Sequence, residues 1–117
     1  DQCDPRIIQV MEEVIKTVDI TVLTGHRDQA TQDEAYRTGH SQLQYPQSKH
    51  NAMPSLAIDV APYPIDWKDT GRFYLVAGFI LGIAKSMGIE MRSGCDWDQD
   101  WQIKDNHFND LVHFELT

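Results

Sequence analysis

Two histidines and two aspartates, widely separated along the chain, carry the side chains best suited to chemistry. His50 and Asp59 lie near the middle of the 117-residue sequence, and His113 lies close to its end. Two imidazoles and one carboxylate suit a catalytic Zn²⁺, which takes three protein ligands and keeps a fourth position open. Asp110 precedes His113 by three residues, near enough to act on a water molecule without being a ligand. The set therefore predicts a hydrolytic zinc site.

Two of the three predicted ligands, Asp59 and His113, lie on predicted strands. Residues 56–61 and 111–116 are short apolar segments, with Asp59 in the middle of the first and His113 in the middle of the second. An unpaired buried carboxylate is costly. Asp59 is therefore expected either to face solvent or to be neutralised by a cation. His50 lies in a polar loop bounded by prolines, where no periodicity is visible.

The remaining segments predict helices packed on a small sheet. Asp4 and Pro5 begin an amphipathic helix that extends to about Thr17. A strand is predicted at 19–24, a helix at 27–37 closed by Gly39, a helix at 71–87 closed by Gly88, and a strand at 89–92. The helix at 71–87 is apolar nearly all the way round, which predicts a central buried helix. The predicted fold class is α+β, a single domain with a mostly antiparallel sheet.

Composition excludes several partners. The net charge of -8, with Lys and Arg scattered, opposes a nucleic-acid partner, because phosphate binding needs clustered cations. The longest apolar segment, 73–87, is too short to span a bilayer, so no membrane insertion is expected. Cys3 and Cys95 are predicted to remain free thiols, and a monomer is expected. No signal-peptide pattern is visible at the start of the sequence.

Five short motifs together resemble a known family. The sequence is similar to the zinc peptidases of the VanY and VanX type, which act on D-alanyl-D-alanine, and most similar to the L-alanyl-D-glutamate peptidases of phage endolysins. The motifs occur in the family order and extend from Gly25 to Glu115, so the resemblance covers most of the chain. They are Thr24-Gly25-His26-Arg27 with Gln32, Ser48-Lys49-His50, Ala57-Ile58-Asp59, Gly94-Cys95-Asp96-Trp97, and Asp110-Leu111-Val112-His113-Phe114-Glu115.

The resemblance implies a fold and a role for each site residue. The fold would be that of D-Ala-D-Ala peptidases and hedgehog domains, and His50, Asp59 and His113 would bind Zn²⁺. Asp110 would be the general base, and Arg27 would stabilise charge on the scissile carbonyl. The remaining assignments concern positioning and substrate. Ser48 and Trp97 would contact the substrate, Glu115 would orient a ligand histidine through its ring N–H, and Gln32 would support the site.

The resemblance also implies a substrate and leaves alternatives open. The substrate would be the stem peptide of peptidoglycan, cut at the L-Ala–D-Glu bond by an enzyme made in the host bacterial cytoplasm and acting at the cell wall. The alternatives are a D-Ala-D-Ala carboxypeptidase and a zinc-stabilised binding domain without turnover. Three departures from the family pattern are visible. Met53-Pro54-Ser55 lengthens the segment between His50 and Asp59, Cys95 replaces a usual glycine, and His26 replaces a usual aromatic residue.

Overall fold

Three helices, one short 3₁₀ turn and four strands make up the described part of the chain. The computed structural model describes residues 2–96, 99, 101 and 110–117. In chain order the elements are α1 (Pro5–Val14), β1 (Ile20–Thr24), α2 (Gln29–Arg37), the 3₁₀ turn η1 (Lys49–Asn51), β2 (Ala57–Pro62), α3 (Thr70–Ser86), β3 (Met91–Gly94) and β4 (Asp110–Leu116).

The four strands form one antiparallel sheet in the order β1-β2-β4-β3. Asp59 on β2 lies opposite Thr24 of β1 on one side and opposite His113 of β4 on the other. The register therefore brings two predicted ligands together at the centre of the sheet. The predicted fold class, α+β with an antiparallel sheet, is confirmed.

The two faces of the sheet carry different kinds of side chain. Ile58, Val60 and Phe114 belong to the hydrophobic core that α1 and α3 complete. Asp59 and His113 alternate with these residues, and successive side chains of a strand point to opposite faces. One face of the sheet is therefore packed on the helices, and the other carries the polar site.

Helix α1 begins where the sequence predicts and ends earlier. Asp4 is its N-cap, with the carboxylate accepting from the Arg6 backbone N–H at 2.9 Å, and Pro5 is its first residue. Ile7, Val10 and Val14 are fully buried, so this face drives packing on the sheet. The helix ends at Val14 rather than at about Thr17, where a turn bonds the Thr17 N–H to the Val14 carbonyl.

Helix α3 is not buried all round, so that prediction is wrong. Phe73, Val76 and Ile80 are buried against the sheet, whereas Leu75 is 74% exposed. A helix lying on one side of a single sheet has an outer face, and an apolar sequence does not change that geometry. Gly88 ends the helix as predicted, with φ of +73°. Among the helices of the described residues, none is long and apolar enough to cross a bilayer.

Candidate metal centre

Three predicted ligands converge on one point on the polar face of the sheet. His50 Nε2 lies 3.1 Å from Asp59 Oδ1 and 3.2 Å from His113 Nδ1, and His113 Nδ1 lies 3.2 Å from the same Asp59 oxygen. All three residues are buried. Burial alone would raise the pKa of the Asp59 carboxyl, but hydrogen bonds from both histidines lower it well below its ordinary value.

Hydrogen bonds on the far side of each ring fix which nitrogen carries a proton. His50 Nδ1 lies 2.8 Å from the Gly25 carbonyl oxygen, and His113 Nε2 lies 2.8 Å from a Glu115 carboxylate oxygen. Both partners only accept, so a neutral ring donates there and turns a lone pair towards the centre. Two lone pairs and a carboxylate oxygen then face one another. A bound cation would fill the space between them. Without a metal ion, His113 is instead protonated at pH 7 and donates to Asp59, because its pKa is raised to about 9; metal binding would displace that proton.

The spacing of the three atoms fits a tetrahedral metal ion. Atoms bound at about 2.0–2.1 Å to a tetrahedral ion lie about 3.3–3.4 Å apart. The three sides of the triangle, 3.1, 3.2 and 3.2 Å, are within a few tenths of an ångström of that value. Two imidazoles and one carboxylate also match the donors of a hydrolytic metal site. The residues present therefore fit a metal ion with one position left open.

The turn η1 holds His50 in place. Ser48 is its N-cap, with its hydroxyl accepting from the His50 backbone N–H at 3.2 Å, while its own N–H donates to the Asn51 side chain at 3.1 Å. The His50 carbonyl accepts from the Arg27 N–H at 2.8 Å. Ser48 is only 7% exposed. Its contacts support a role in positioning His50, and contact with substrate stays a prediction.

Glu115 sits behind His113 in a cluster of cations. Its second oxygen accepts from Arg92 Nε at 2.9 Å and lies 3.3 Å from Lys49 Nζ. Burial alone would raise the pKa of the Glu115 carboxyl, but the hydrogen bond to His113 and the charges of His113, Arg92 and Lys49 lower it to about 2. Glu115 is therefore an anion hydrogen-bonded to the His113 ring at 2.8 Å, and its role in orienting a metal ligand stays a prediction.

Arg27 and Gln32 form a pair beside the predicted ligand Asp59. Arg27 Nη2 lies 3.7 Å from Asp59 Oδ2, and Arg27 Nη1 donates to Gln32 Oε1 at 2.9 Å. Gln32 is fully buried, and its amide also donates to Ser41 Oγ and to the Leu43 carbonyl. The guanidinium is thus held next to the three ligands by a side chain that cannot move freely.

Asp110 reaches the site because the register of β4 is broken. Ser93 pairs with Phe114, but the next residue, Gly94, pairs with Asp110. A Cβ on Gly94 would lie 2.2 Å from the Asp110 carbonyl oxygen, so only glycine permits this approach. Burial, and then the charge of Asp59, raise the pKa of the Asp110 carboxyl. Asp110 therefore lies within electrostatic reach of the ligands.

Other predicted residues have simpler outcomes. Trp97 lies outside the described residues. Cys3 and Cys95 are both buried and are not joined by a disulfide, as predicted. Cys95 is not part of the ligand group, and its Sγ accepts a hydrogen bond from Ser93 Oγ at 3.1 Å.

Three supporting residues were not predicted from the sequence. Lys49 and Asn51 flank His50 in the sequence motif, so their positions could have indicated that they lie near the site. The position of Arg92 could not be predicted in this way, because its contact with Glu115 depends on the pairing of β3 with β4.

Comparisons with known proteins agree with this geometry. The family model described as phage L-alanyl-D-glutamate peptidase matches residues 1–117. The L-alanyl-D-glutamate peptidase of Escherichia phage T5 is 34% identical over 90 residues, which are 74% of this chain and 65% of that protein. The match thus spans less than two thirds of the phage T5 protein.

A solved structure shares the whole fold. The crystal structure of the Serratia marcescens L-Ala D-Glu endopeptidase ChiX superposes with a TM-score of 0.77 at 26% identity, covering 99% of this chain and 81% of ChiX. With the family model covering every residue, this chain belongs to the phage L-alanyl-D-glutamate peptidase family.

Proposed function

We propose that this protein is a zinc-dependent peptidase that hydrolyses the L-Ala–D-Glu bond in the stem peptide of peptidoglycan. The observation that carries the proposal is the convergence of two histidine lone pairs and a carboxylate oxygen within 3.2 Å of one another. The family and the resemblance to ChiX support the peptide bond chosen. The protein would be made in the host bacterial cytoplasm and act at the cell wall.

His50, Asp59 and His113 would hold the Zn²⁺. When bound, such an ion supplies a Lewis acid that polarises a carbonyl and lowers the pKa of water to about 7. Zinc is favoured over other metals because two imidazoles and one carboxylate at tetrahedral spacing suit it and because peptide hydrolysis needs no redox change. The three ligands and the base all come from one chain, so a monomer would suffice.

Asp110 would act as the general base. Its pKa is raised towards the working pH by burial and by the negative charge of Asp59. It would take a proton from the attacking water and later deliver that proton to the leaving amine of D-Glu. Such a role needs a carboxylate near the ligands that is not itself bound to the metal.

Arg27 would stabilise charge on the scissile carbonyl oxygen. Its guanidinium lies 3.7 Å from Asp59 and keeps N–H donors besides the one that Gln32 engages. A fixed cation beside developing negative charge lowers the barrier because it needs no reorganisation during the reaction. A site that only stabilised the fold would need neither Arg27 nor Asp110.

The test combines chelation, mutation and product analysis. The zinc-loaded protein should release fragments from purified peptidoglycan, lose that activity with chelator and regain it with added Zn²⁺. Asp110→Asn should keep one zinc per chain and lose at least a hundredfold in kcat, while Asp33→Asn, an exposed change on α2, should have no effect. Mass spectrometry should find new amino termini at D-Glu. Release of D-Ala instead would indicate a carboxypeptidase, and zinc binding without any cleavage would indicate a binding domain.

A further inference from the structure

The Lys49 side chain extends from the turn η1 to the end of β4. Lys49 precedes the predicted ligand His50 on the turn. Its ammonium donates to the Leu116 carbonyl oxygen and lies 3.3 Å from Glu115 Oε2. The other oxygen of Glu115 lies 2.8 Å from His113 Nε2. The side chain therefore connects the segment that carries one predicted ligand with a residue that contacts another.

A closed ring of hydrogen bonds joins the three segments that carry the predicted ligands. The Lys49 carbonyl accepts from the Leu56 N–H at 3.0 Å, and the Leu56 carbonyl accepts from the Leu116 N–H at 2.9 Å. The Lys49 ammonium closes the ring on the Leu116 carbonyl. Leu56 immediately precedes β2, which carries Asp59. Two links of the ring are backbone bonds and the third is a side chain, so a single substitution at Lys49 opens the ring.

Other contacts of η1 attach it to the segment that follows β1. The His50 carbonyl accepts from the Arg27 N–H at 2.8 Å, and the Asn51 amide donates to the Arg27 carbonyl at 3.0 Å. These two bonds fix η1 relative to residues 25–27 and do not reach β4. The Lys49 ammonium supplies an attachment in the other direction, towards the strand that carries His113.

Arg92 provides a comparison within the same cluster. Arg92 Nε donates to Glu115 Oε2 at 2.9 Å, and Lys49 Nζ lies 3.3 Å from the same oxygen. The two cationic side chains are also similarly exposed, at 34% and 36%. Arg92 lies on β3, which carries none of the three predicted ligands. The two residues therefore both offset the charge of Glu115, but only Lys49 attaches the turn that carries His50.

Charge and attachment predict opposite changes in metal affinity. Removing either cation leaves Glu115 less neutralised and takes a positive charge away from the centre, and both effects favour Zn²⁺ binding. Removing the attachment lets η1 move relative to β4, so His50 has to be ordered when the ion binds, and this cost weakens binding. Because both cations are about one third exposed, solvent and salt screen the charge effect. The loss of attachment is therefore expected to dominate in a Lys49 variant.

We propose that Lys49 is a positioning residue that holds the His50 turn against β4 and so preorganises the metal centre. It acts through the turn and through Glu115, and its ammonium contacts neither His50 nor Asp59 nor His113. The inference rests on the proposed function, because it assumes that these three residues bind Zn²⁺. It does not depend on which bond is cut.

The test measures the Zn²⁺ affinity of the full chain by competition with a chromophoric chelator at pH 7. Lys49→Met keeps the length of the side chain but loses its charge and donors, and should raise the dissociation constant about tenfold. Lys49→Gln is a second neutral variant with the same expected loss. Lys49→Arg keeps a cation with several donors and should stay within about threefold of the wild type. Circular dichroism and Tm of the metal-free proteins establish that each variant is folded at the assay temperature.

Two further variants separate attachment from charge. Arg92→Met removes a cation from the same Glu115 oxygen and should leave the affinity unchanged or raise it. Lys85→Met removes a lysine–glutamate pair of the same 3.3 Å distance on the outside of the protein, between Lys85 and Glu90, and should have no effect.

Co²⁺ gives a second readout, because its visible absorption depends on the geometry of its ligands. Lys49→Met should change the visible spectrum of the Co²⁺-loaded protein, whereas Arg92→Met should keep the wild-type spectrum. A variant that is only less stable would bind Co²⁺ in the wild-type arrangement. An unchanged spectrum in Lys49→Met would therefore overturn the positioning role.

The outcomes separate this inference from the proposed function. If the wild-type chain binds Zn²⁺ but Lys49→Met binds it as tightly, or weakens only as much as Arg92→Met, the positioning role is wrong and the proposed function stands. Equal losses in Lys49→Arg and Lys49→Met would also overturn it. Zn²⁺ binding that depends on Lys49 without any cleavage of peptidoglycan would remove the proposed activity and leave the role of Lys49 in place. If the wild-type chain binds no Zn²⁺, both fail.

Discussion

Replacing Glu115 by glutamine tests whether a buried anion behind a ligand controls metal affinity. Glu115 accepts from His113 Nε2 at 2.8 Å and is also bonded to Arg92. A glutamine oxygen could still accept from the histidine, so the ring keeps its orientation. The variant removes the negative charge that makes the imidazole a stronger donor to a metal ion.

The expected size of the effect follows from these contacts. Loss of a partner behind a metal-binding histidine typically weakens metal binding 10- to 100-fold, which is about 1.4–2.7 kcal/mol. The cations Arg92 and Lys49 already offset part of the Glu115 charge, and the glutamine keeps the hydrogen bond. Glu115→Gln is therefore expected near the lower limit, about tenfold. Glu115→Ala also loses the orientation of His113 and is expected near the upper limit, about 100-fold.

The measurement is competition for Zn²⁺ with a chromophoric chelator at pH 7 and constant ionic strength. Glu90→Gln is the matched control, because Glu90 pairs with Lys85 at 3.3 Å, the same distance as Glu115 with Lys49, but its side chain is 64% exposed. The control should change the dissociation constant less than twofold. If Glu115→Gln also changes it less than twofold, the carboxylate does not control the ligand.

Three other perturbations give separate tests. Hydrogen bonds to Asp59 and Glu115 outweigh burial and raise the pKa of His113 from 6.5 to about 9. Zn²⁺ binding at pH 7 should therefore release about one proton, and the affinity for Zn²⁺ should rise with pH up to about 9. Calorimetry in buffers of different ionisation enthalpy measures the number of protons released. A release of zero protons would contradict the prediction. The same shift stabilises the metal-free fold below about pH 6.5, and this contribution is lost as the pH rises through about 9. Gly94→Ala should lower kcat at least tenfold while the protein still binds one zinc per chain. The control Gly78→Ala should leave kcat unchanged, because a Cβ added at Gly78 meets no atom within 4 Å. Equal kcat values for the two variants would refute the positioning of Asp110 by Gly94. Gln32→Leu should lower the unfolding free energy by about 1–3 kcal/mol in denaturant titrations, because it leaves buried partners unsatisfied; unchanged stability would contradict this.

The sequence predicts the three metal ligands because residue type and local strand patterns are enough to recognise them. β2 and β4 are found from short apolar segments, and the central position of Asp59 and His113 in them follows directly. The choice left open for Asp59 is resolved by the structure, in which it is buried beside two histidines and Arg27. Local patterns sufficed because each strand needed to be recognised only by itself.

Features that depend on contacts between segments far apart in the sequence could not be predicted from local sequence patterns. In an uninterrupted strand, residues three apart point to opposite faces, so the approach of Asp110 to the site required the register break at Gly94. No periodicity signals that break. The outer face of α3 was missed for a related reason, since hydrophobicity does not reveal how many sides of a helix are covered. Ser48 and Asn51 do match a capping pattern, and that signal was available.

The predicted ligands come from a loop turn, a central strand and the final strand, and His50 and His113 are 63 positions apart in the sequence. A bound ion would therefore link three segments that are far apart in the sequence. Anything that binds the folded state alone stabilises it, by about 2.7 kcal/mol at a free concentration 100 times Kd. The availability of metal in the cell would then govern how long the folded chain resists proteolysis, as well as how fast it cleaves.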